Sequence, residues 1–362
     1  MNLIDKIKLR RKQRLLNDRS VLVNRTSRIH HQVLRVCITY FCNRDCSFCY
    51  SKGLQEEFPQ HMSIDNFEFL TRWARLQGWR SLRLLGGEPT IHPQLKTILD
   101  IARKHRFTLS MSTNGLFAPE LNSYFNRILI ESINFSYPQD QVKSQEMEIF
   151  RQNLKKTIFK SIPVVLSGVL YPDRDDWHQV IDLAKDFQNK VIVRFSMVLP
   201  GHQKSFSSEE FRHYIHGLAR QILNIAHYAY ENYVVFFFYR PLLLCMFNSQ
   251  ELAFLKSISP FLFDSICSCS CVEGTMMTVN PDLSCSPCPS LFLRGLKITP
   301  EITREDIRQD FRARLKQVSI KPLLDSCQTC NFFTNYKHHL ENSTLDLAKN
   351  IVCQSGCFQY RV

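Results

Sequence analysis

The sequence lacks any run of 18 apolar residues, the length that a membrane-spanning helix needs. Its most hydrophobic stretch, residues 233–247, is interrupted by Arg240 and Pro241. The first residues, Met1–Lys6, also lack the uninterrupted apolar segment of a secretory signal peptide. We therefore expect a soluble, cytoplasmic protein with no membrane partner.

Glycine and proline are not enriched, with 11 and 15 among 362 residues, and no low-complexity tract or fixed-period repeat is present. These absences predict a globular chain of one large or two modest domains. Acidic residues are outnumbered by basic ones, and residues 1–35 hold ten Lys and Arg but only two Asp. Such a segment can contact nucleic acid or an acidic peptide. The pattern favours a solvated helix over residues 4–16.

Cysteine, in contrast, is abundant, with 14 residues in the chain. In a chain of this size without a signal peptide, the thiols are expected to be reduced metal ligands rather than disulfides. Cys42, Cys46 and Cys49 form a CxxxCxxC pattern directly after a strand-like apolar run, residues 33–40.

Three thiolates this close in sequence can bind three irons of a cubane cluster and leave the fourth iron open to an exogenous ligand. A zinc loop is the alternative, but structural zinc sites take four ligands, and the next Cys or His after Cys49 is His61. The pattern therefore favours a reactive iron–sulfur site.

A second motif, Gly86-Gly87-Glu88, ends a predicted strand. Two glycines let a backbone approach a ligand closely, and the carboxylate can accept a hydrogen bond from an ammonium group. Alone, the tripeptide is typical of a tight turn. Together with the preceding cysteine loop (residues 42–49), it resembles the radical SAM superfamily over about residues 31 to 200.

The resemblance implies a 4Fe–4S cluster on Cys42, Cys46 and Cys49, with S-adenosylmethionine chelated to the open iron. It also implies cofactor contacts from a set of strand-end and loop residues: Phe48, Gly86, Gly87, Glu88, Thr113, Asn114, Ser136 and Arg194. Arg194 could equally pair with an acid at the barrel mouth, and Arg151 is better explained by an exposed helix face. No catalytic acid or base is assigned.

Strands alternate with helices along the first 200 residues, which predicts a parallel sheet with right-handed crossovers. The expected fold is α/β: a partial (β/α)6 TIM-like radical SAM barrel followed by a small cysteine-rich auxiliary-cluster domain. Each ligand motif follows a strand, at the end where such barrels place their chemistry. The predicted domains are a basic extension (1–30), the core barrel (31–205), a connecting helix and strand region (206–262) and the auxiliary domain (263–362).

Nine cysteines lie between residues 267 and 357, and they surround a strand–turn–strand pattern that ends at Cys285. This arrangement resembles the SPASM extension or the shorter twitch domain, which implies one or two auxiliary 4Fe–4S clusters. The expected ligands are Cys267, Cys271, Cys285, Cys288, Cys327, Cys330, Cys353 and Cys357, with Cys269 an alternative to Cys267.

The spacing departs from the SPASM pattern, because 22 residues separate Cys330 from Cys353 and no cysteine follows Cys357. Three interpretations of these cysteines therefore stay open: two clusters, one cluster with spare thiols, or a zinc site built from the two cysteine pairs.

The resemblance implies reductive cleavage of S-adenosylmethionine to a 5′-deoxyadenosyl radical, which abstracts hydrogen from a substrate. An electron donor such as flavodoxin or ferredoxin is the expected partner. The expected substrate is a ribosomally made peptide or protein that is crosslinked or oxidised. Ser286 follows Cys285 where sulfatase-maturing relatives have an aspartate, so that particular activity is not expected.

Two other functions stay open. One is the oxidation or epimerisation of a sugar or aminocyclitol. The other, more remote, is a zinc-ribbon nucleic-acid binder, although nucleic acid is not the partner that the motifs favour.

Overall fold

The computed structural model describes residues 33–49, 51–140, 142–187, 190–198, 208–238, 242, 246–258, 277–287, 294–317, 319–322 and 358–361. The strands are β1 (Val33–Thr39), β2 (Ser81–Gly86), β3 (Thr108–Thr113), β4 (Ile130–Ser136), β5 (Val164–Leu170), β6 (Val191–Met197), β7 (Phe236–Phe238), β8 (Thr278–Val279), β9 (Cys285–Ser286), β10 (Ser319–Pro322) and β11 (Phe358–Arg361). The helices are α1 (Leu54–Glu57), α2 (Ile64–Leu76), α3 (Leu95–Lys104), α4 (Ser144–Phe159), α5 (Trp177–Asp186), α6 (Ser208–Glu231), α7 (Ser249–Ile258) and α8 (Arg304–Gln317).

Strands β1 to β7 form a parallel sheet in which each strand pairs with the next one along the chain. This order confirms the predicted α/β fold of a partial barrel. The seventh strand, β7, lies in the region that was predicted as a connection, and it pairs with β6. The barrel sheet therefore extends one strand further than the predicted six units.

Helix α2 illustrates how local sequence sets the elements. Ser63 caps its first turn, with its side chain accepting a hydrogen bond from the Asn66 N–H at 3.1 Å. Gly78 follows the helix with a φ of +86°, a left-handed conformation that favours glycine. Phe67 and Leu70 on its inward side are fully buried in the main core. The start, the end and the buried side of this helix therefore each follow from a local sequence feature: the capping serine, the glycine and the apolar residues.

The two faces of the barrel strands differ in chemistry. On β1, Leu34, Val36 and Ile38 are buried in the hydrophobic core shared with the surrounding helices. The alternating residues, including Arg35, point to the opposite face, because successive side chains of a strand alternate. We call this opposite side the inner face of the barrel.

The inner face is rich in polar residues at matching register positions. Arg35 of β1 lies beside Arg83 of β2, and Arg83 lies beside Ser110 of β3. On the far side, Ser167 of β5 lies beside Arg194 of β6. Three arginines therefore occupy the inner face of a sheet whose outer face is apolar.

The predicted strand–turn–strand pattern near Cys285 is present as the antiparallel hairpin β8–β9. Strand β8 pairs in parallel with β1, so the hairpin continues the barrel sheet beyond its first strand. The Tyr40 hydroxyl donates to the Asn280 side chain at 2.7 Å, which ties the end of β1 to the hairpin turn. Strands β10 and β11 form a separate antiparallel pair.

Within the ranges given above, no helix combines the length and the apolar character that crossing a bilayer requires.

A buried amide positions the loop that follows β3. Asn153 of α4 is fully buried, and its Nδ2 donates to the carbonyl oxygens of Gly115 at 2.9 Å and Phe117 at 2.8 Å. Its Oδ1 accepts from Asn122 at 2.8 Å. One side chain of α4 thus fixes the loop that leaves β3.

We expect Asn153→Ala to lower the free energy of unfolding by about 2–4 kcal/mol, because two buried carbonyls and one buried amide lose their partner. The neighbouring Gln152 is exposed and contacts only Glu148 within the described chain, so Gln152→Ala is the matched control, with an effect within about 0.5 kcal/mol. Chemical denaturation followed by circular dichroism measures both. Equal losses in the two variants would contradict the role given to Asn153.

Candidate active site

The three cysteines of the cysteine loop lie together just beyond the end of β1. The Cys49 N–H donates to the Cys46 carbonyl at 3.2 Å, which closes a turn between the second and third thiols. All three are free thiols, with Cys42 exposed and the other two partly exposed. Although Cys42 is exposed, partial desolvation of its thiol, together with the nearby Glu88, Cys49 and Cys46, raises the pKa of the thiol to about 11.

This donor set fits the implied cluster. Three thiols on one short loop, close enough to perturb one another and accessible from outside, match the ligands of an iron–sulfur cluster that leaves one iron free. In the described part of the chain, no group of three or more His, Cys, Asp or Glu has the geometry of a site for a single metal ion.

The two glycines bring the end of β2 against the end of β1. The Gly87 N–H donates to the Thr39 carbonyl and the Glu88 N–H to the Phe41 carbonyl, both at 2.8 Å. A Cβ on Gly86 would lie 1.7 Å from the Thr39 oxygen, and one on Gly87 would lie 2.2 Å from the Phe41 oxygen. The sequence suggested a close approach to a ligand; the structure shows a close approach to the strand that leads into the cysteine loop.

Glu88 is almost completely buried, and its carboxylate joins the end of β2 to the end of β3. One oxygen accepts from the Thr90 N–H at 3.1 Å and from the hydroxyls of Thr90 at 2.5 Å and Thr113 at 2.8 Å. The other accepts from the Asn114 N–H at 2.6 Å. Burial raises the pKa of the carboxyl, while these hydrogen bonds oppose the rise.

Asn114 extends this connection to the cysteine loop. Its Nδ2 donates to the Asn43 side chain at 2.6 Å and lies 3.9 Å from the Cys42 sulfur. Its Oδ1 accepts from the Leu116 N–H at 2.9 Å. The predicted residues Glu88, Thr113 and Asn114 therefore form one network that ends at Cys42, the first cysteine of the loop.

The remaining predicted cofactor residues lie around the same end of the barrel or on its inner face. The Phe48 ring meets the Tyr171 ring edge-on, with 6.3 Å between centroids. Ser136 ends β4 and lies in register with Ser167. Arg194 lies on the inner face in the middle of β6. Arg151 pairs with Asp186 at 3.5 Å on an exposed helix face, the alternative that the sequence favoured.

The sequence did not reveal a second set of contacts, which fastens the cysteine loop to the loop after β4. The Asp140 carboxylate accepts from the Ser47 N–H at 3.0 Å and the Ser47 hydroxyl at 2.7 Å. Arg174 pairs with the same carboxylate at 2.9 Å and stacks on the Tyr171 ring at 4.5 Å. No short motif joins these residues, because Ser47, Asp140 and Arg174 are far apart in sequence.

The sequence also did not identify Arg35 and Arg83 as site residues. Arg35 is buried, and the Arg83 Nε donates to the Ser110 hydroxyl at 3.1 Å. The signal was present in the sequence: each arginine lies within an apolar strand, at the alternating position that faces away from the core.

Of the predicted auxiliary ligands, only Cys285 is among the described residues. Its side chain is fully buried in the main hydrophobic core, and burial raises the pKa of its thiol. Cys267, Cys269, Cys271, Cys288, Cys327, Cys330, Cys353 and Cys357 lie outside the described residues. Their role as ligands stays a prediction.

Comparison with known proteins agrees with this geometry. Residues 36–135, which run from β1 to β4, match the family model of the radical SAM superfamily. This match confirms the predicted resemblance to the radical SAM superfamily over residues 36–135.

The chain is also similar to individual proteins in sequence or in fold. It is 28% identical over 144 residues to a probable GTP 3′,8-cyclase of Aeropyrum pernix, covering 38% of this chain and 40% of the relative. The fold resembles native anSMEcpe with bound AdoMet (TM-score 0.60, 14% identity, 83% of this chain and 87% of that one). It also resembles Streptococcus suis SuiB bound to its precursor peptide SuiA (TM-score 0.51, 14% identity, 72% and 60%).

The match to the curated relative thus spans less than half of that relative's length.

We expect Gly86→Ala to lower the free energy of unfolding by about 3 kcal/mol or more, because the new methyl group would overlap the Thr39 carbonyl. Gly78→Ala is the matched control: its φ is also positive, but no atom lies within 4 Å of the added Cβ. The control should lose only about 1–2 kcal/mol. Chemical denaturation measures the difference, and a Gly86→Ala loss no larger than that of the control would refute the close-approach explanation.

Proposed function

We propose that this chain is a radical SAM enzyme that cleaves S-adenosylmethionine reductively and abstracts a hydrogen atom from a substrate held inside the barrel. The observation that carries this proposal is the convergence of the cysteine loop with Glu88 and Asn114 at the carboxyl ends of β1 to β3. Cys42, Cys46 and Cys49 are the proposed cluster ligands, and they leave one iron open for the cofactor.

Cys42, Cys46 and Cys49 would hold the cluster. With S-adenosylmethionine bound, the site would supply reductive cleavage of the cofactor's sulfur–C5′ bond to methionine and a radical able to take a hydrogen atom from a substrate carbon, which would leave 5′-deoxyadenosine and a substrate radical. A flavodoxin or ferredoxin is the proposed source of the electron. An oxidation or crosslink is completed when the substrate radical loses a second electron and a proton.

The protein residues have separate tasks in this scheme. The network of Glu88, Thr113 and Asn114 sets the positions of the strand ends around the cofactor. Phe48 and Ser136 are proposed to contact the cofactor from the cysteine loop and from the end of β4, and the strand-end backbone at Gly86 and Gly87 is proposed to do so from β2. The C-terminal cysteines are proposed to bind one or two auxiliary 4Fe–4S clusters, which would accept the second electron or anchor the substrate.

For the substrate we propose a ribosomally made peptide or protein. This choice is supported by the resemblance of the C-terminal cysteine pattern to the SPASM extension. It is also supported by the net charge of +13, which suits an acidic peptide segment. Arg35, Arg83 and Arg194 on the inner face would bind a carboxylate of that segment, since guanidinium groups pair well with planar anions.

A nucleoside triphosphate is the second candidate, and the same arginines favour it. Guanidinium groups form paired hydrogen bonds with phosphate oxygens in the same way as they do with carboxylates. A relative that matches part of this barrel is named a probable GTP 3′,8-cyclase, although the match spans 40% of it. A sugar or aminocyclitol lacks an anionic group unless it is phosphorylated, so the arginines give it less support.

We expect replacement of Cys42, Cys46 and Cys49 together by alanine to abolish formation of 5′-deoxyadenosine, because each thiolate binds one iron. Iron content after anaerobic reconstitution should fall by about four atoms per chain, with any auxiliary iron retained. Cys37→Ala is the control, since Cys37 is a buried thiol on β1 outside the loop, and it should retain both iron and activity. Undiminished 5′-deoxyadenosine in the triple variant would refute the proposed function.

We expect Arg83→Gln to raise the KM for an anionic substrate at least tenfold, because it removes one charged contact of about 1.5–3 kcal/mol. Arg80→Gln is the control, because Arg80 is exposed just before the same strand. Product formation with acidic peptides, GTP and neutral sugars, measured at two salt concentrations, separates the substrate classes. A neutral sugar as the best substrate, with an unchanged KM in Arg83→Gln, would exclude the anion-binding role.

A further inference from the structure

Arg44 lies inside the cysteine loop, between the first and second cluster cysteines, and its side chain is only 8% exposed. One guanidinium nitrogen pairs with the Glu146 carboxylate of α4 at 3.2 Å, and the other donates to the Asp140 carbonyl. Both terminal nitrogens are therefore bound to residues at the start of α4 and in the loop before it. This arrangement fixes the plane of the guanidinium group.

The third guanidinium nitrogen, Nε, has no hydrogen-bond partner among the described residues. This nitrogen is also buried. A buried N–H without an acceptor is unfavourable, so Arg44 Nε is available to donate to a bound group.

The surroundings of Arg44 indicate which partner this is. The Arg44 backbone amide is close enough to Cys42 to oppose the rise in the pKa of that thiol. Burial raises the pKa of the Cys46 thiol, and hydrogen bonding and positive charge from the Arg44 side chain oppose that rise. Both neighbours of Arg44 that carry sulfur are proposed cluster ligands.

We propose that Arg44 is a positioning and tuning residue of the reactive cluster, which donates its Nε hydrogen to a cluster sulfur and makes the cluster easier to reduce. This inference rests on the proposed function, because it requires a cluster on Cys42, Cys46 and Cys49. Hydrogen bonds to sulfur and nearby positive charge both stabilise the added electron, and outer-shell groups commonly tune metal centres in this way.

The other charges near Arg44 limit the effect but do not cancel it. Glu146 offsets part of the positive charge, while the Asp140 carboxylate is bound to Ser47 and Arg174. Asp45 pairs with Lys52 at 2.9 Å on the exposed side of the loop. The directed hydrogen bond from Nε is therefore the main contribution to the reduction potential. The part of the Arg44 charge that Glu146 does not offset adds to it.

The test is a redox titration of the full-length reconstituted protein, followed by electron paramagnetic resonance. The signal of the reactive cluster is the one that is missing from the triple cysteine variant. At a fixed potential, Arg44→Gln should lower the ratio of reduced to oxidised reactive cluster about tenfold, which is 59 mV for a one-electron couple. Arg44→Lys, which keeps the charge but loses the planar donor, should give a smaller decrease.

Arg151→Gln is the matched control, since it removes the same charge from the exposed face of α4 and should leave the potential unchanged. A wild-type potential in Arg44→Gln with full iron content would overturn the inference while leaving the proposed function intact. If the Arg44→Gln variant does not retain iron, the Glu146→Gln variant is measured instead. That variant keeps Arg44 and removes its counter-charge, so a raised potential supports the inference and an unchanged one overturns it.

Discussion

The site depends on the contact between the ends of the first two strands. Gly86 and Gly87 allow the β2 backbone to lie directly against Thr39 and Phe41, at a distance that no residue with a side chain permits. Because Phe41 immediately precedes Cys42, this contact sets where the cysteine loop begins. The glycines of the motif therefore act first on the protein's own backbone, and the cofactor encounters a loop whose starting point is already fixed.

Glu88 continues this organisation from the second strand to the third. A carboxylate buried this deeply is costly unless its oxygens are hydrogen-bonded, and here four donors from Thr90, Thr113 and Asn114 provide that compensation. Asn114 then reaches back to Asn43 beside Cys42. The three motifs that are separate in sequence thus form one hydrogen-bonded unit.

The cysteine loop is held from a second direction by residues after β4 and β5. Asp140 binds Ser47 between the second and third cysteines of the loop, and Arg44 pairs with Glu146 on α4. Loops of about this length are usually mobile unless their polar groups have partners in the rest of the fold. These contacts on both sides give a short, glycine-free loop a defined conformation before any ligand binds.

The sequence by itself determined the class of fold, and it placed the three cysteines of the loop directly after a strand. Period-two and helical patterns are local properties, and so are caps such as Ser63 and the spacing of Cys42, Cys46 and Cys49. Only the tertiary structure decided that β7 joins the barrel and that the hairpin bearing Cys285 pairs with β1. It also decided that Arg35 lies beside Arg83, and that Asp140 and Arg44 fasten the loop. These pairings depend on which strand ends and loops meet in space. Residues that the curvature of the sheet brings together have no fixed separation along the chain, so no sequence motif marks them.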